Sequence, residues 1–436
     1  MLTDIEDGLD EFVLDPSSRG VPPGFGELTS RTIAVQHWHP SDGAMSLPLL
    51  SLDLAIYDDS RAAMFDVCAE FGIGIAPHAK TPMAPALARN FVEQGAWGTS
   101  VADLRQAGVM LRYGLRRLLI ANEIGGLNAI KRLAQLLSVY RDAEIHLFVD
   151  SVEFVQSLAA IWAVDKHLPT IHLLLEVGCG RGGVQTQGEI EALLSCLGKV
   201  DEPRLQVSGV AAYEGTTNRP NEDELQNALC DLFDRVGSAL RAVREFVGPD
   251  KPLLLSAGGS SLFDYVIVHC VPMTKRDGNT MLLLRNGACF FSDHGPIRDR
   301  LQALASRKLL GEAASLRIAK SFRPALRLWA EVLSTHSDGT VICGLGLRDA
   351  AHDQGLPVPF YLWREGRRAA DINGSGNLTK LNDQHAFVQI PGVEVQIGDV
   401  VEFGVRHPCT TIDKHDLIYG IGENEKIQTV FRTFFG

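Results

Sequence analysis

The chain has 436 residues, of which 45% are hydrophobic, and its formal net charge is -12. This length predicts a large domain together with a smaller one. A negative charge without a basic run disfavours nucleic acid and anionic lipid as partners, and no apolar run approaches the roughly 20 residues that a membrane helix needs.

The chain begins with an acidic stretch instead of the basic and apolar segments of a secretory leader. Its eight cysteines are scattered without a CxxC pair, which suits reduced thiols. We therefore expect a soluble, cytoplasmic protein.

Residues 1–45 carry no barrel-like pattern, and we expect an N-terminal arm that packs with the second domain, with a free arm as the alternative. From about residue 50 to 290, short apolar runs alternate with amphipathic stretches, as expected when a covering helix follows each parallel strand. The apolar runs are Ile73–Ala76, Gly98–Ser100, Leu118–Ala121, Ile145–Val149, Ile171–Val177, Leu205–Tyr213, Leu253–Ser256 and Met281–Leu284. Helical spacing recurs between them, at Ala84–Gln94, Ala102–Tyr113, Leu127–Tyr140, Val152–Val164 and Glu222–Phe246.

Eight such units predict an α/β fold, a (β/α)8 TIM-like barrel over residues 46–295. A doubly wound open sheet is the alternative, because a pattern alone does not count strands reliably. After about residue 300 the helical spacing fades, and β-like runs stand among Gly, Pro and Asp turns. Residues 296–436 are therefore predicted to form a C-terminal β domain.

Polar residues follow the predicted strands at their carboxyl ends, where parallel barrels hold their chemistry. They are His78, Lys80, Asn122, Asp150, Arg181 and Tyr213. The opposite rim is expected to carry no comparable group. Lys80 is a candidate Schiff-base nucleophile, with a surface loop lysine as the alternative. Arg181, in a glycine-rich loop, is suited to hold an oxyanion because it stays charged; the alternative is a solvated arginine.

A glycine-rich turn follows the seventh predicted strand and contains Gly258, Gly259 and Ser260. Glycines allow the backbone N–H groups to approach an anion closely, and barrels often bind phosphate at this position. We interpret the turn as a phosphate site, although the same residues also form ordinary turns.

A candidate metal pair lies near the C-terminus, where His407 and Cys409 are two residues apart and would face the same side of an extended chain. Both residues are good zinc ligands, and two protein ligands leave positions open for water or substrate. A buried cysteine beside a surface histidine is the alternative. The cluster Asp383-Gln384-His385 is a further candidate for a ligand or a proton carrier.

Together these motifs resemble the fold-type III pyridoxal-phosphate (PLP) enzymes of the D-serine dehydratase and D-threonine aldolase family, which have alanine racemase-like barrels. The resemblance covers most of the chain. It rests on Pro77-His78-Ala79-Lys80-Thr81, Gly95-Ala96-Trp97-Gly98, Leu119-Ile120-Ala121-Asn122-Glu123, Gly180-Arg181-Gly182-Gly183-Val184, Ala212-Tyr213-Glu214-Gly215, Gly258-Gly259-Ser260 and His407-Pro408-Cys409. Gly355-Leu356-Pro357-Val358-Pro359 and Lys80-Thr81-Pro82-Met83-Ala84-Pro85 look most like the bacterial members described as amino acid deaminases.

The resemblance implies a role for each motif. Lys80 would form the Schiff base with PLP, Arg181 would lie by the cofactor's phenolic oxygen, and Tyr213 would lie near its pyridine nitrogen. His78 would also line the cofactor site. Gly258, Gly259 and Ser260 would bind the phosphate, and His407 and Cys409 would hold zinc, with manganese as an alternative. Pro82 stands where the better-known dehydratases carry a histidine, which leaves the substrate open.

The reaction implied by the resemblance is dehydration, or deamination, of a D-3-hydroxy amino acid such as D-serine or D-threonine. Lys80 would take the α-proton, and a metal would polarise the 3-hydroxyl group. Retro-aldol cleavage to glycine and an aldehyde is the first alternative; the resembled aldolases look to use His and Asp where this chain has His407 and Cys409. A noncatalytic PLP-binding protein and a racemase are further alternatives. The resemblance also implies a homodimer.

Overall fold

The computed structural model describes residues 11–26, 28–217, 219 and 221–435. The acidic start at residues 1–10 lies outside the described residues. The strands are β1 (Val13–Leu14), β2 (Leu28–Thr29), β3 (Leu49–Asp53), β4 (Gly74–Ile75), β5 (Thr99–Val101), β6 (Arg117–Ile120), β7 (Glu144–Val149), β8 (Ile171–Val177), β9 (Leu205–Ala212), β10 (Leu253–Ser256), β11 (Thr280–Leu284), β12 (Leu326–Thr335), β13 (Thr340–Cys343), β14 (Val358–Arg364), β15 (Arg367–Asp371), β16 (Asn377–Leu381), β17 (Ala386–Gln389), β18 (Val400–Gly404), β19 (Leu417–Ile421) and β20 (Ile427–Arg432). The α-helices are α1 (Leu54–Phe71), α2 (Pro85–Glu93), α3 (Leu104–Arg112), α4 (Leu127–Val139), α5 (Val152–Val164), α6 (Gln187–Lys199), α7 (Glu222–Val247), α8 (Phe263–Asp277), α9 (Pro296–Arg307), α10 (Glu312–Ser321) and α11 (Pro408–Ile412).

Strands β4 to β11 form one parallel sheet in which β4 pairs with β11 and the others pair in sequence order. The two ends of this sheet meet, since Trp97 N–H donates to the Ile75 carbonyl at 2.9 Å and Ser100 N–H donates to the Pro77 carbonyl at 3.0 Å. This order confirms the predicted TIM-like barrel. It excludes the doubly wound sheet, in which the strand order would reverse at a switch point.

The lumen of the barrel is filled by one face of each strand. The buried residues Leu119, Phe148, Leu174, Leu254 and Leu283 pack together there. Their neighbours along each strand point outward to the helices, because side chains alternate across a strand. Strands that are apolar on both faces give the continuous hydrophobic runs by which the sequence predicts them.

A second, antiparallel sheet is organised around β12, which pairs with β18, β13 and β3. β19 pairs with β20 and, in parallel, with β3. The described part of the N-terminal segment lies on this sheet: Leu14, Ile33 and Trp38 pack in one cluster with Trp329 and Tyr419.

The structure differs from the predicted domain limits in two places. β3 falls inside the range 46–295 but belongs to the antiparallel sheet, where it pairs with β12. The sequence did not reveal this pairing, because β12 is far along the chain and leaves no local signal. Residues 296–321 were expected in the β domain but form α9 and α10. Leu301, Leu304 and Ile318 are buried at helical spacing in the same core as the barrel helices. The domain limits otherwise stay a prediction.

None of the helices in the described parts of the chain combines the length and apolar character that crossing a bilayer requires.

Candidate active site

A cavity of about 220 Å³ lies at the carboxyl ends of the barrel strands, against the second sheet. It brings together eight of the nine predicted site residues, namely His78, Lys80, Arg181, Tyr213, Gly259, Ser260, His407 and Cys409. The ninth, Gly258, is adjacent in sequence to Gly259. A larger cavity of about 630 Å³ lies at the opposite end of the barrel. The smaller cavity is the candidate active site, because it is lined by the residues that the sequence predicts to carry the chemistry. Their individual roles stay predictions.

Lys80 lies in the turn between β4 and α2 and is reached by solvent through the cavity. The surrounding protein nevertheless lowers the pKa of Lys80 by burial, and the positive charges of Arg181 and Arg285 lower it further, against an opposing effect of Cys409. A lowered pKa favours the neutral amine, which is the form that acts as a nucleophile or base.

His78 closes the barrel beside Lys80 through a bridge to Ser100. Burial, together with the positive charges of Lys80 and Arg285, holds the pKa of His78 well below its usual value. The His78 ring is therefore neutral. Its buried Nδ1 atom has no hydrogen-bond partner among the described residues.

Two guanidinium groups lie near the Tyr213 ring, with Arg181 Cζ at 5.1 Å and Arg285 Cζ at 5.8 Å from its centroid. Arg285 was not predicted. It is buried, and it donates to the Ala212 carbonyl at 2.5 Å and to Ser256 Oγ at 3.2 Å. It directly follows β11, so the rule that selected the other strand-end residues would also have found it. The positive charges of the two arginines make this part of the cavity suited to an electron-rich or anionic ring.

The glycine turn holds an anion of the protein itself. Gly258 N–H donates to Glu214 Oε2 at 3.1 Å, and Gly259 N–H donates to Glu214 Oε1 at 2.6 Å. Ser260 Oγ accepts from Gly287 N–H at 3.2 Å and from Cys289 N–H at 3.1 Å. The backbone of the turn thus binds a carboxylate, and its predicted role as a phosphate site stays a prediction. The two predicted phosphate donors are, however, engaged by Glu214, which the sequence did not single out.

The space around Gly259 predicts a strong effect of a small substitution. A Cβ at this position would lie 2.8 Å from Tyr213 Cε2 and 3.2 Å from Glu214 Oε1. We expect Gly259→Ala to weaken PLP binding by about 10- to 100-fold, since overpacking costs about 1–3 kcal/mol. Titration of the apoenzyme with PLP measures this change. Gly126→Ala is the matched control, because a Cβ there meets nothing within 4 Å; equal affinities of the two variants would contradict the prediction.

The candidate metal pair lies on the second sheet's side of the cavity, at the start of α11. Thr81 Oγ1 lies 3.4 Å from Cys409 Sγ, so the pair adjoins the turn that carries Lys80. His407 Nδ1 lies 2.5 Å from Asp353 Oδ2, and Asp353 Oδ1 accepts from Thr410 Oγ1 at 2.9 Å. Such a carboxylate behind a histidine orients the ring toward a metal. Asp353 was missed because it lies 54 residues from His407 in sequence.

The cluster Asp383-Gln384-His385 does not contribute to this cavity. Asp383 and His385 are exposed, and neither lines it. These residues form a solvated turn before β17, with Asn382 N–H donating to the His385 carbonyl at 2.9 Å.

The Asp150 carboxylate bonds the loop that carries Arg181. Asp150 Oδ2 accepts from Gly183 N–H at 3.0 Å, whereas Asn122 Nδ2 bonds the Ala102 carbonyl at 3.4 Å. Beside them, burial and a hydrogen bond to Glu176 raise the pKa of Glu123 to about 8. The two carboxyl groups of Glu123 and Glu176 therefore hold a proton between them at neutral pH.

This proton predicts a pH dependence of stability. The folded-state pKa of Glu123 is raised, so its stabilising contribution is present below the unfolded value near 4.5 and is lost as pH rises through about 8. We expect the stability of the wild type, relative to Glu123→Gln, to fall by on the order of 1–2 kcal/mol between pH 5 and pH 9. Urea unfolding at both pH values measures this difference. Glu191→Gln, at an exposed position, should show no such change; a gap between wild type and Glu123→Gln that is constant with pH would contradict the prediction.

The chain is similar to known proteins in sequence and in fold. Residues 76–263 match the family model described as alanine racemase, N-terminal domain, and residues 325–421 match the one described as putative serine dehydratase domain. The chain is 24% identical over 398 residues to the 3-hydroxy-D-aspartate aldolase of Paracoccus denitrificans (strain Pd 1222), covering 89% of this chain and 92% of that protein.

Two solved structures share the fold. The D-threonine aldolase from Filomicrobium marinum superimposes with a TM-score of 0.70 at 22% identity, over 89% of this chain and 95% of that one. The D-threo-3-hydroxyaspartate dehydratase from Delftia sp. HT23 superimposes with a TM-score of 0.65 at 18% identity, over 91% and 99%.

A parallel barrel with a lysine at its mouth, joined to an antiparallel second sheet, defines the alanine racemase-like class of fold-type III PLP enzymes. The second matching family model narrows this class. The chain is a fold-type III PLP enzyme that resembles the D-serine dehydratase and D-threonine aldolase family, and it is a PLP-dependent lyase.

Proposed function

We propose that this lyase dehydrates a D-3-hydroxy amino acid, such as D-serine, D-threonine or a β-hydroxy analogue, to a 2-oxo acid and ammonia. One observation carries the proposal. A single cavity holds both Lys80 and the pair His407 and Cys409, with Thr81 and Cys409 in contact at 3.4 Å. A base for the α-proton and a site for the leaving hydroxyl group are thus available to one small substrate.

The residues of the cavity fit PLP. The Gly258 and Gly259 N–H groups donate to Glu214, so a phosphate needs other partners at the glycine turn. Ser260, Ser261 and Arg300 line the same cavity and add groups that suit a phosphate while Glu214 keeps its bonds. Lys80 would hold the cofactor covalently, and Arg181, Tyr213 and His78 would surround its ring. When bound, PLP supplies an electron sink for the substrate's Cα.

Lys80 is the proposed base. Burial and the charges of Arg181 and Arg285 lower its pKa, which favours the neutral amine that accepts the α-proton. The same two guanidinium groups provide positive charge for the substrate carboxylate. The protein's contribution is thereby to orient the Cα–H bond toward the Lys80 Nζ atom.

The residues His407 and Cys409 fit a divalent metal, with zinc or manganese as candidates. They combine an imidazole with a thiol, and Asp353 holds the imidazole from behind. A metal held there supplies positive charge that stabilises a departing hydroxide.

Retro-aldol cleavage to glycine and an aldehyde is the second candidate function. The similarity to proteins named 3-hydroxy-D-aspartate aldolase and D-threonine aldolase favours it. Against it stands Cys409, because the family resemblance pairs a histidine with an aspartate in the aldolases. The two reactions share the α-amino acid and the 3-hydroxyl group, and they differ in which bond to the β-carbon breaks.

Product analysis tests the proposal. Purified protein loaded with PLP and with zinc or manganese is incubated with a panel of D- and L-3-hydroxy amino acids. We expect equal amounts of 2-oxo acid and ammonia from a D-substrate. Equal amounts of glycine and aldehyde would instead establish the aldolase, and turnover of L-substrates alone would refute both. Sedimentation of the same sample tests the homodimer that the family resemblance implies.

A further inference from the structure

The N-terminal end of the barrel carries a second cluster of metal-ligand side chains, far from the active-site cavity. Glu144 and His146 lie on β7, and His172 lies on β8 directly opposite His146 in the strand register. Their ligand atoms all lie within 4.8 Å of one another. The expectation that this rim carries no comparable group is therefore wrong. The two histidines are 26 positions apart in sequence, and only the pairing of the strands brings them together.

The three side chains are built into the barrel wall. Phe148 fills the lumen, and residues two apart along a strand point to the same side. His146 and Glu144 therefore face the lumen at its N-terminal end. His146 is buried, and its ring stacks on His172 with centroids 4.5 Å apart. Neighbouring strands of a rigid sheet thus fix the spacing of the ligands.

The hydrogen bonds within the cluster leave ligand capacity unused. Glu144 Oε2 accepts from Arg117 Nε at 2.7 Å, which orients the carboxylate, and its Oε1 lies 3.0 Å from His146 Nε2. The buried Nδ1 of His146 has no hydrogen-bond partner among the described residues. A buried polar atom without a partner calls for an explanation such as an ion. The hydrogen bonds inside the cluster do not supply a partner for this nitrogen atom.

We propose that Glu144, His146 and His172 form a second divalent-metal site, with zinc as the ion, separate from the pair at the mouth of the barrel. Two imidazoles and one carboxylate are a zinc ligand set that leaves a coordination position open. The cavity of about 630 Å³ is lined by Glu144 and Arg117 and gives an ion access from solvent. The guanidinium of Arg117 lies beside the site and limits its affinity for a cation.

Metal counting on full-length protein tests this site. A background variant carrying His407→Asn and Cys409→Ser lacks the mouth pair; it is stripped with a chelator and titrated with zinc chloride alone. We expect one bound zinc per chain in this background. Adding His172→Asn should weaken zinc binding by at least about 100-fold. His167→Asn, at an exposed position in the same segment, is the matched control and should retain one zinc.

Two further readouts keep the test independent of folding and of turnover. Zinc should raise the thermal unfolding midpoint of the background variant and of the His167→Asn control but not of the His172→Asn variant. Cobalt bound to the background variant should show weak visible bands without the thiolate charge-transfer absorption that Cys409 gives the wild type. A background variant that binds no zinc, or an undiminished zinc equivalent after His172→Asn, would overturn the proposal.

Discussion

Lys80→Ala is expected to abolish covalent cofactor attachment and to reduce turnover by on the order of 10³-fold or more. The lysine lies in the turn between β4 and α2 and lines the cavity. Burial and two arginines lower its pKa. One substitution removes both the attachment point and the proposed base, and general acid–base catalysis alone is worth about 10²- to 10⁴-fold. The fold should survive, because Lys80 is exposed to the cavity and does not pack in the core.

The direct readout is independent of activity. Wild-type protein is incubated with PLP, reduced with borohydride and digested, and the peptide that carries the cofactor is identified by mass spectrometry. We expect the label on the peptide that contains Lys80, and no label in the variant. Lys320→Ala, on the exposed side of α10, should leave labelling and turnover unchanged. A label that persists in Lys80→Ala would place the attachment site elsewhere and remove the basis of the proposed function.

The barrel could be predicted because its signals are local. Each strand is a short apolar run, and parallel strands are buried on both faces, so the runs stand out from the amphipathic helices. Lys80, Arg181 and Tyr213 could be selected because parallel strands bring their carboxyl ends to one rim, whatever their separation in sequence. Their shared cavity follows from that topology.

What could not be predicted depends on contacts between distant segments. β3 joins the antiparallel sheet only because β12 and β19 flank it. Glu214 turns back onto the Gly258–Gly259 backbone, and Asp353 reaches His407 across a long connection. No periodicity encodes such pairings. Arg285 is different, because its place after the last barrel strand carried a usable signal.

Cys409→Ala is expected to reduce turnover by on the order of 10²- to 10³-fold while leaving cofactor attachment intact. The cysteine contacts Thr81 at 3.4 Å and, among the described residues, makes no hydrogen bond to the glycine turn, so its loss removes a proposed metal ligand without altering that turn. A Lewis acid contributes several kcal/mol to a reaction that expels hydroxide, and about 1.4 kcal/mol corresponds to a tenfold change in rate. The loss should therefore appear in kcat, and metal content should fall in parallel.

The decisive comparison separates the metal from the cysteine as a structural residue. Asp353→Asn keeps the size of the side chain behind His407 but weakens its orientation, so we expect reduced metal affinity and partial recovery of turnover at high metal concentration. Cys409→Ala should recover much less, because the ligand itself is missing. Borohydride labelling at Lys80 should be the same in both variants. Full turnover of the wild type after exhaustive chelation would rule out the Lewis-acid role and would leave proton transfer by Lys80 as the chemistry that this site supports.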